Sequence, residues 1–181
     1  MTGSTWTLAL LFLTLLTVHP QAADPAVRDP HIRSSDAELL DAMASGARVS
    51  PTLRRLIDQL ESSDVVVYLM FDRSPSSHTA GHVSLITSVA GRRYLRISID
   101  RRNIGCQRIA ILGHELQHAV EIADEAWVTD QEGIASLYRG IGFTSGPHQV
   151  DCFDSRLAIA TGRIIQREVL ARYTDFTNHA R

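Results

Sequence analysis

Residues 106–123 read CQRIAILGHELQHAVEIA, and the rest of the chain arranges itself around that stretch. Ile109, Ile111, Leu112, Leu116 and Val120 recur in it at helical spacing, so one helix is expected from about Cys106 to Ala123. Inside it stands His114-Glu115-Leu116-Gln117-His118. A helix turns by about 100° per residue, so the two histidines share one face, one turn apart, and both rings can reach the same cation. Glu115 is offset from that line but remains beside it. Its carboxylate can take a proton from a water on the cation without being a ligand. One zinc ion is the expected cofactor, because it brings a coordinated water to a pKa of about 7.

Outward from this helix the chain alternates in type. Ser35-Asp36-Ala37-Glu38 is an S-x-x-E capping box that should open a helix to about Ser45. Ser50-Pro51 supplies a cap and a proline at the first helical position. Leu53, Leu56, Ile57 and Leu60 then carry a second amphipathic helix to about Glu61. Val65-Val66-Val67-Tyr68-Leu69-Met70-Phe71 is a continuous apolar run that suits a buried central strand. Residues 82–89 and 93–99 flank Ala90-Gly91-Arg92 as a hairpin. In its second arm Tyr94, Arg96 and Ser98 alternate with Leu95, Ile97 and Ile99, which suggests a strand with one wet face near a sheet edge.

Thr129-Asp130-Gln131-Glu132 is a further capping box, for a helix ending near Gly140. Residues 142–147 read as a loop, and Asp151 or Asp154 opens a last helix. The order of elements predicts an α+β fold: a small antiparallel or mixed sheet packed against the HExxH helix and further helices.

The chain has 181 residues, enough for one domain with its own core, expected over residues 35–181. A net charge of -2 argues against bulk nucleic-acid binding. Residues 8–18, LALLFLTLLTV, are too few for a bilayer span, which needs about 20. They fit the apolar region of a signal peptide cleaved after Ala23, although no Lys or Arg precedes them; a short anchor or a buried helix is the alternative. Export is therefore expected, with no stable membrane span after cleavage. Residues 24–34, with two prolines, read as a linker. In an oxidising compartment Cys106 and Cys152 could pair; otherwise they are two buried thiols.

A catalytic zinc takes three protein ligands and keeps one position open. Glu121, Glu132 and Asp154 are the candidates for the third. Glu121 is two turns beyond His114 on the same face, where it would strain a tetrahedron or could instead orient an imidazole. Asp154 could equally be a helix cap. Tyr138 and His148 could donate to an oxyanion, or be core and loop residues. Gly113 would let another backbone approach the helix. His31, His78, His82 and His179 lack partners at ligand spacing. Arg92, Arg93, Arg96, Arg101 and Arg102 form a solvated basic face or a patch for acidic substrates.

His114-Glu115-Leu116-Gln117-His118-Ala119 resembles the helix of gluzincin-type zinc peptidases, a local likeness over residues 109–124. The resemblance implies His114 and His118 as ligands, Glu115 as general base and a carboxylate on a later helix as third ligand. Phe153-Asp154-Ser155, with Ala158 and Gly162, is similar to an aromatic-Glu-Thr helix start in small exported bacterial proteins that share a HELxHA helix. That likeness ranks Asp154 first, Glu121 second and Glu132 third, with Asp one methylene shorter than the family's Glu. It also implies a zincin-like domain that hydrolyses a peptide or protein substrate paired along an edge strand. With a weak third ligand, the alternative is a catalytically degenerate peptidase-like protein with a binding or structural role.

Overall fold

The structure, a computed structural model, describes residues 29–72, 79–144 and 153–179. The expected signal peptide, residues 24–28 of the linker, His78, His148 and Cys152 lie outside the described residues.

The fold is mixed α/β, with five helices and a small mixed sheet among the described residues. Chain order is β1 (Ile32–Ser34), α1 (Ala37–Val49), α2 (Pro51–Glu61), β2 (Val65–Phe71), β3 (Gly81–Val89), β4 (Arg92–Ile99), α3 (Gly105–Asp124), α4 (Gln131–Ile141), β5 (Gly142–Thr144), β6 (Phe153–Ser155) and α5 (Arg156–His179). The main sheet runs β1-β2-β4-β3. β1, β2 and β4 are parallel, and β3 returns antiparallel to β4. β5 and β6 form a separate antiparallel ribbon. Among the described residues no helix is long and apolar enough to cross a membrane.

Several expectations shift here for identifiable reasons. Ile32–Ser34, read as linker, is a strand, because its backbone pairs with β2 from Val67 onward. β4 is interior and β3 is the edge. The alternation in β4 reports one half-open face of the sheet, which is a different property from lying at its border. α1 starts after Asp36 rather than at a Ser35 box, with no side-chain cap. In α4 the cap is Asp130, whose side chain accepts from the Gly133 N–H. The expected loop at residues 142–147 begins as β5. The hairpin turn is two residues, Ala90 and Gly91, both at positive φ (51° and 71°), a conformation that suits Gly91 and strains Ala90.

Alternate residues of β2 and β4, among them Val65, Val67, Leu69, Leu95, Ile97 and Ile99, point to one face and are fully buried. They pack with Leu39, Leu53, Leu60, Leu112 and Leu116 in one core. Thirteen of the 20 residues of α3 are buried, so it is the central helix, with α5 along its outer side. Arg93, expected on a solvated basic face, is 2% exposed. Its guanidinium donates to Asp64 and to the carbonyls of Ile122, Ala123, Glu125 and Val128, gathering the end of α3.

Candidate metal centre

α3 and α5 run against each other closely because small residues permit it. A methyl group on Gly162 would come within 3.2 Å of the Ala110 carbonyl and 3.3 Å of His114 Cβ. At Gly113 the intruding group is the Ile165 side chain, 2.1 Å from where a Cβ would sit, and not the backbone that the sequence suggested. Antiparallel matching follows along the pair: Thr161 donates to Gln117 and Ser155 donates to Glu121. The start of α5 is thus carried to the histidines of α3.

Asp154 Oδ1 lies 3.4 Å from His114 Nε2 and 3.4 Å from His118 Nε2. The two rings are 4.9 Å apart at 80° to each other, so their edges converge. Donors placed tetrahedrally around zinc at bond lengths of 2.0–2.1 Å stand roughly 3.3–3.4 Å apart. Two imidazole nitrogens and one carboxylate oxygen at that spacing could hold a metal ion. His114, Glu115 and His118 likewise offer ligand atoms within 4.8 Å of one another. Of the two carboxylates, Asp154 is the one recorded against both Nε2 atoms. Glu115 is 4% exposed, with its carboxylate against Gly81 of β3, where a methyl would come 2.7 Å from Oε1.

Asp154 is free to face the histidines because it does not cap α5. That task falls to Ser155, whose hydroxyl accepts from the Ala158 N–H at 2.9 Å. The Ser155 N–H in turn donates to Asp154 Oδ1 at 2.7 Å and fixes the carboxylate.

The other ring nitrogen of His118 meets a second carboxylate. Nδ1 lies 2.9 Å from Glu121 Oε2, and Glu121 also accepts from Tyr138 OH at 3.1 Å and Ser155 Oγ at 2.6 Å. A carboxylate can only accept, so Nδ1 carries the hydrogen, and a neutral His118 would offer its Nε2 lone pair on the side of Asp154. Glu121 thus lies on the opposite side of His118 from Asp154. Glu132 is exposed and paired with Arg139 at 2.7 Å, away from the group. Tyr138 is buried with its hydroxyl engaged by Glu121 and His118, which removes it from the role of oxyanion donor.

Charge follows geometry. Burial pushes the Glu115 carboxyl up to about 7, with Asp154 adding and His118 opposing. Burial also resists protonation of His118, yet Asp154, Glu121 and Glu115 outweigh it and raise its pKa to about 9. Burial and the neighbouring His118 lower His114. Burial would raise Asp154, but the hydrogen bond from His118 and the charges of both rings hold it below its ordinary value. A proton on His118 is held by the same acids that would balance a bound cation.

Comparison with protein-family models, with curated proteins and with solved structures gives no match. The site is therefore read from its own geometry. That geometry adds Gly81 and Ser155 to the residues the sequence singled out. Ser155 could have been found as a cap three residues before Ala158; nothing in the sequence marks Gly81. Gly81, His114, Glu115, His118 and Asp154 open on a cleft of about 590 Å³ floored by α3 and walled by β3 and α5.

Proposed function

We propose that this chain is a zinc-dependent peptidase of the zincin type, exported, and acting on peptide or protein chains. The observation that carries the reading is the single Asp154 oxygen equidistant from two histidine Nε2 atoms one helical turn apart, with a buried carboxylic acid beside them. His114, His118 and Asp154 would hold one zinc ion. Such an ion polarises a substrate carbonyl and makes a water acidic enough to attack it near neutral pH.

The protein's own groups then act around that chemistry. Glu115 accepts the proton released by the attacking water and delivers it to the departing amine, work suited to a carboxyl whose surroundings raise its pKa toward neutrality. Glu121, steadied by Tyr138 and Ser155, keeps His118 in the tautomer that offers Nε2. Among the described residues β3 has no strand partner on one edge and carries Gly81 against Glu115, so an extended peptide could add to it in the cleft by backbone hydrogen bonds.

The test compares wild type, Glu115→Gln and Asp154→Ala on a randomised peptide pool, with zinc content measured in each. Glu115→Gln should keep its zinc and lose about 10²–10⁴-fold in hydrolysis. Asp154→Ala should lose zinc, and a chelator should abolish wild-type cleavage. Cleavage by Glu115→Gln at the wild-type rate would sink the mechanism. Stoichiometric zinc with no cleavage by wild type would favour the degenerate, binding form of the fold.

A further inference from the structure

The cleft has two unlike ends. Toward the C-terminal end of α3 it is bounded by Ile122, Ile134 and Tyr138. Toward the N-terminal end its walls are Gln107, Gln166 and Arg163. Arg163 is the sole Arg or Lys among the described residues lining the cleft, and the chain contains no Lys. It follows Gly162, which is pressed onto His114 and Ala110. A helix turns about 100° per residue, so the Arg163 side chain leaves α5 to one side of the face that meets His114, and it lines the same cleft as the two histidines.

Arg93 pairs with Asp64, Arg102 with Asp100, Arg108 with Glu38 and Arg139 with Glu132. Arg163 is exposed, and no carboxylate among the described residues forms an ion pair with it. Other exposed arginines, among them Arg48, Arg96 and Arg167, also form no ion pair among the described residues, but none of them lines the cleft. The acids that share the cleft, Glu115 and Asp154, are engaged by β3 and by the two histidines.

We propose that Arg163 recognises a carboxylate of the substrate, so that the site selects peptides that place a negative charge on the α5 flank of the scissile bond. This rests on the peptidase reading and adds its substrate class. A guanidinium suits the task because its fork can hold both oxygens of a carboxylate at once. The carboxylate can come from an Asp or Glu side chain or from the C-terminus of the peptide.

The experiment digests two randomised peptide pools, one with free C-termini and one amidated, using zinc-loaded wild type, Arg163→Gln and Arg163→Glu. Cut sites are read by mass spectrometry, and folding is checked by circular dichroism and zinc content. An exposed ion pair corresponds to about a two- to fivefold change in kcat/KM. Wild type should therefore enrich Asp and Glu by that factor at a fixed offset on one side of the cut, with the enrichment shrinking at high salt. Arg163→Gln should abolish the enrichment, and Arg163→Glu should replace it with Arg and Lys. Cleavage at a fixed distance from free C-termini, lost in the amidated pool and in Arg163→Gln, would identify the terminal carboxylate as the ligand. One identical profile in all three proteins would overturn the proposal and leave the peptidase reading intact.

A binding arm covers the case in which no pool is cut. Zinc-loaded Glu115→Gln, with and without Arg163→Gln, is titrated with dye-labelled Ala-Glu and Ala-Gln repeat peptides. Preference for the Glu peptide that disappears with Arg163 would uphold the recognition while the hydrolytic reading fails. Equal binding of the two peptides would overturn the recognition.

Discussion

Replacing Arg93 by methionine tests what holds the HExxH helix in place. Arg93 is 2% exposed, and its nitrogens lie 2.6 Å from the Ile122 carbonyl, 2.9 Å from Ala123, 2.8 Å from Glu125 and 3.3 Å from Val128, with Asp64 at 2.6 and 2.8 Å. The last carbonyls of a helix have no partners within the helix; those of Ile122 and Glu125 also accept from the Glu125 and Val128 N–H groups, and Arg93 adds a charged donor to them and to the Ala123 and Val128 carbonyls. Methionine keeps much of the stem and removes every donor. A hydrogen bond to a charged group contributes about 1.5–3 kcal/mol net, but the Asp64 side chain is 42% exposed and can rehydrate, so that pair is discounted. The carbonyls share one donor group and cannot be summed independently. Buried acceptors that lose their donor cost about 1–3 kcal/mol each, and with the Ala123 and Val128 carbonyls foremost a loss near 4 kcal/mol is expected. At about 2–4 °C per kcal/mol for a chain of this size, Tm should fall by roughly 8–16 °C. Thermal and urea unfolding followed by far-UV circular dichroism, on metal-free protein, measure it. Arg93→Lys should recover only part of the loss, since an ammonium cannot span five acceptors. A loss under about 1 kcal/mol for Arg93→Met would refute the assignment.

Two further outcomes follow from neighbouring contacts. In Gly81→Ala the new methyl meets Glu115 Oε1, so β3 or the carboxylate must move; zinc content should persist while kcat/KM drops on the order of 10²-fold, and unchanged kinetics would show that Glu115 does not need this seat. Asp64 is held below its ordinary value of 3.8 chiefly by the hydrogen bond from Arg93, against a smaller effect of burial. Its folded pKa is depressed, so its contribution is complete above 3.8 and is lost as pH falls through the folded value. The gap in urea midpoint between wild type and Asp64→Asn should be widest at neutral pH and close in acid; a gap indifferent to pH would mean that Asp64 titrates alike in both states.

The elements that the sequence marks most clearly are those whose signal is local. α2 is announced by Ser50-Pro51 and its leucine spacing, and the cap forms as expected, with Ser50 Oγ accepting from the Leu53 N–H at 3.0 Å. α3 is announced by its apolar period, and the pair of histidines by their separation of four. What the sequence hides depends on contacts far apart in the chain. The parallel pairing of β1 with β2 joins residues 35 apart, and three residues carry no periodicity of their own. Whether a strand is edge or interior is decided by its partners, and β4 shows the same alternation either way. Arg93 looks like a surface cation beside Arg92 until the end of α3 folds over it. The role of Glu121 needs the position of Tyr138, 17 residues away, and of Ser155, 34 away.

Asp154 illustrates how the fold and the candidate site depend on each other. The resemblance to known zinc peptidases asks for a Glu where this chain has Asp154, and one methylene less would leave the oxygen short if the helices stood at an ordinary distance. They do not. Helices usually pack 8–10 Å apart according to the side chains between them, and small residues permit the lower end of that range. A Cβ on Gly162 would stand 3.3 Å from His114 Cβ, and one on Gly113 2.1 Å from the Ile165 side chain, so a larger residue at either position would press the pair apart. Ser155 takes over capping, so the preceding residue can turn its carboxylate to the rings. Asp154 stands in β6, just ahead of α5, and its shorter side chain already brings Oδ1 to 3.4 Å from both rings. The two glycines, the serine cap and the aspartate form one solution to the same spacing, and changing one of them alone should be harder for the protein than changing them together.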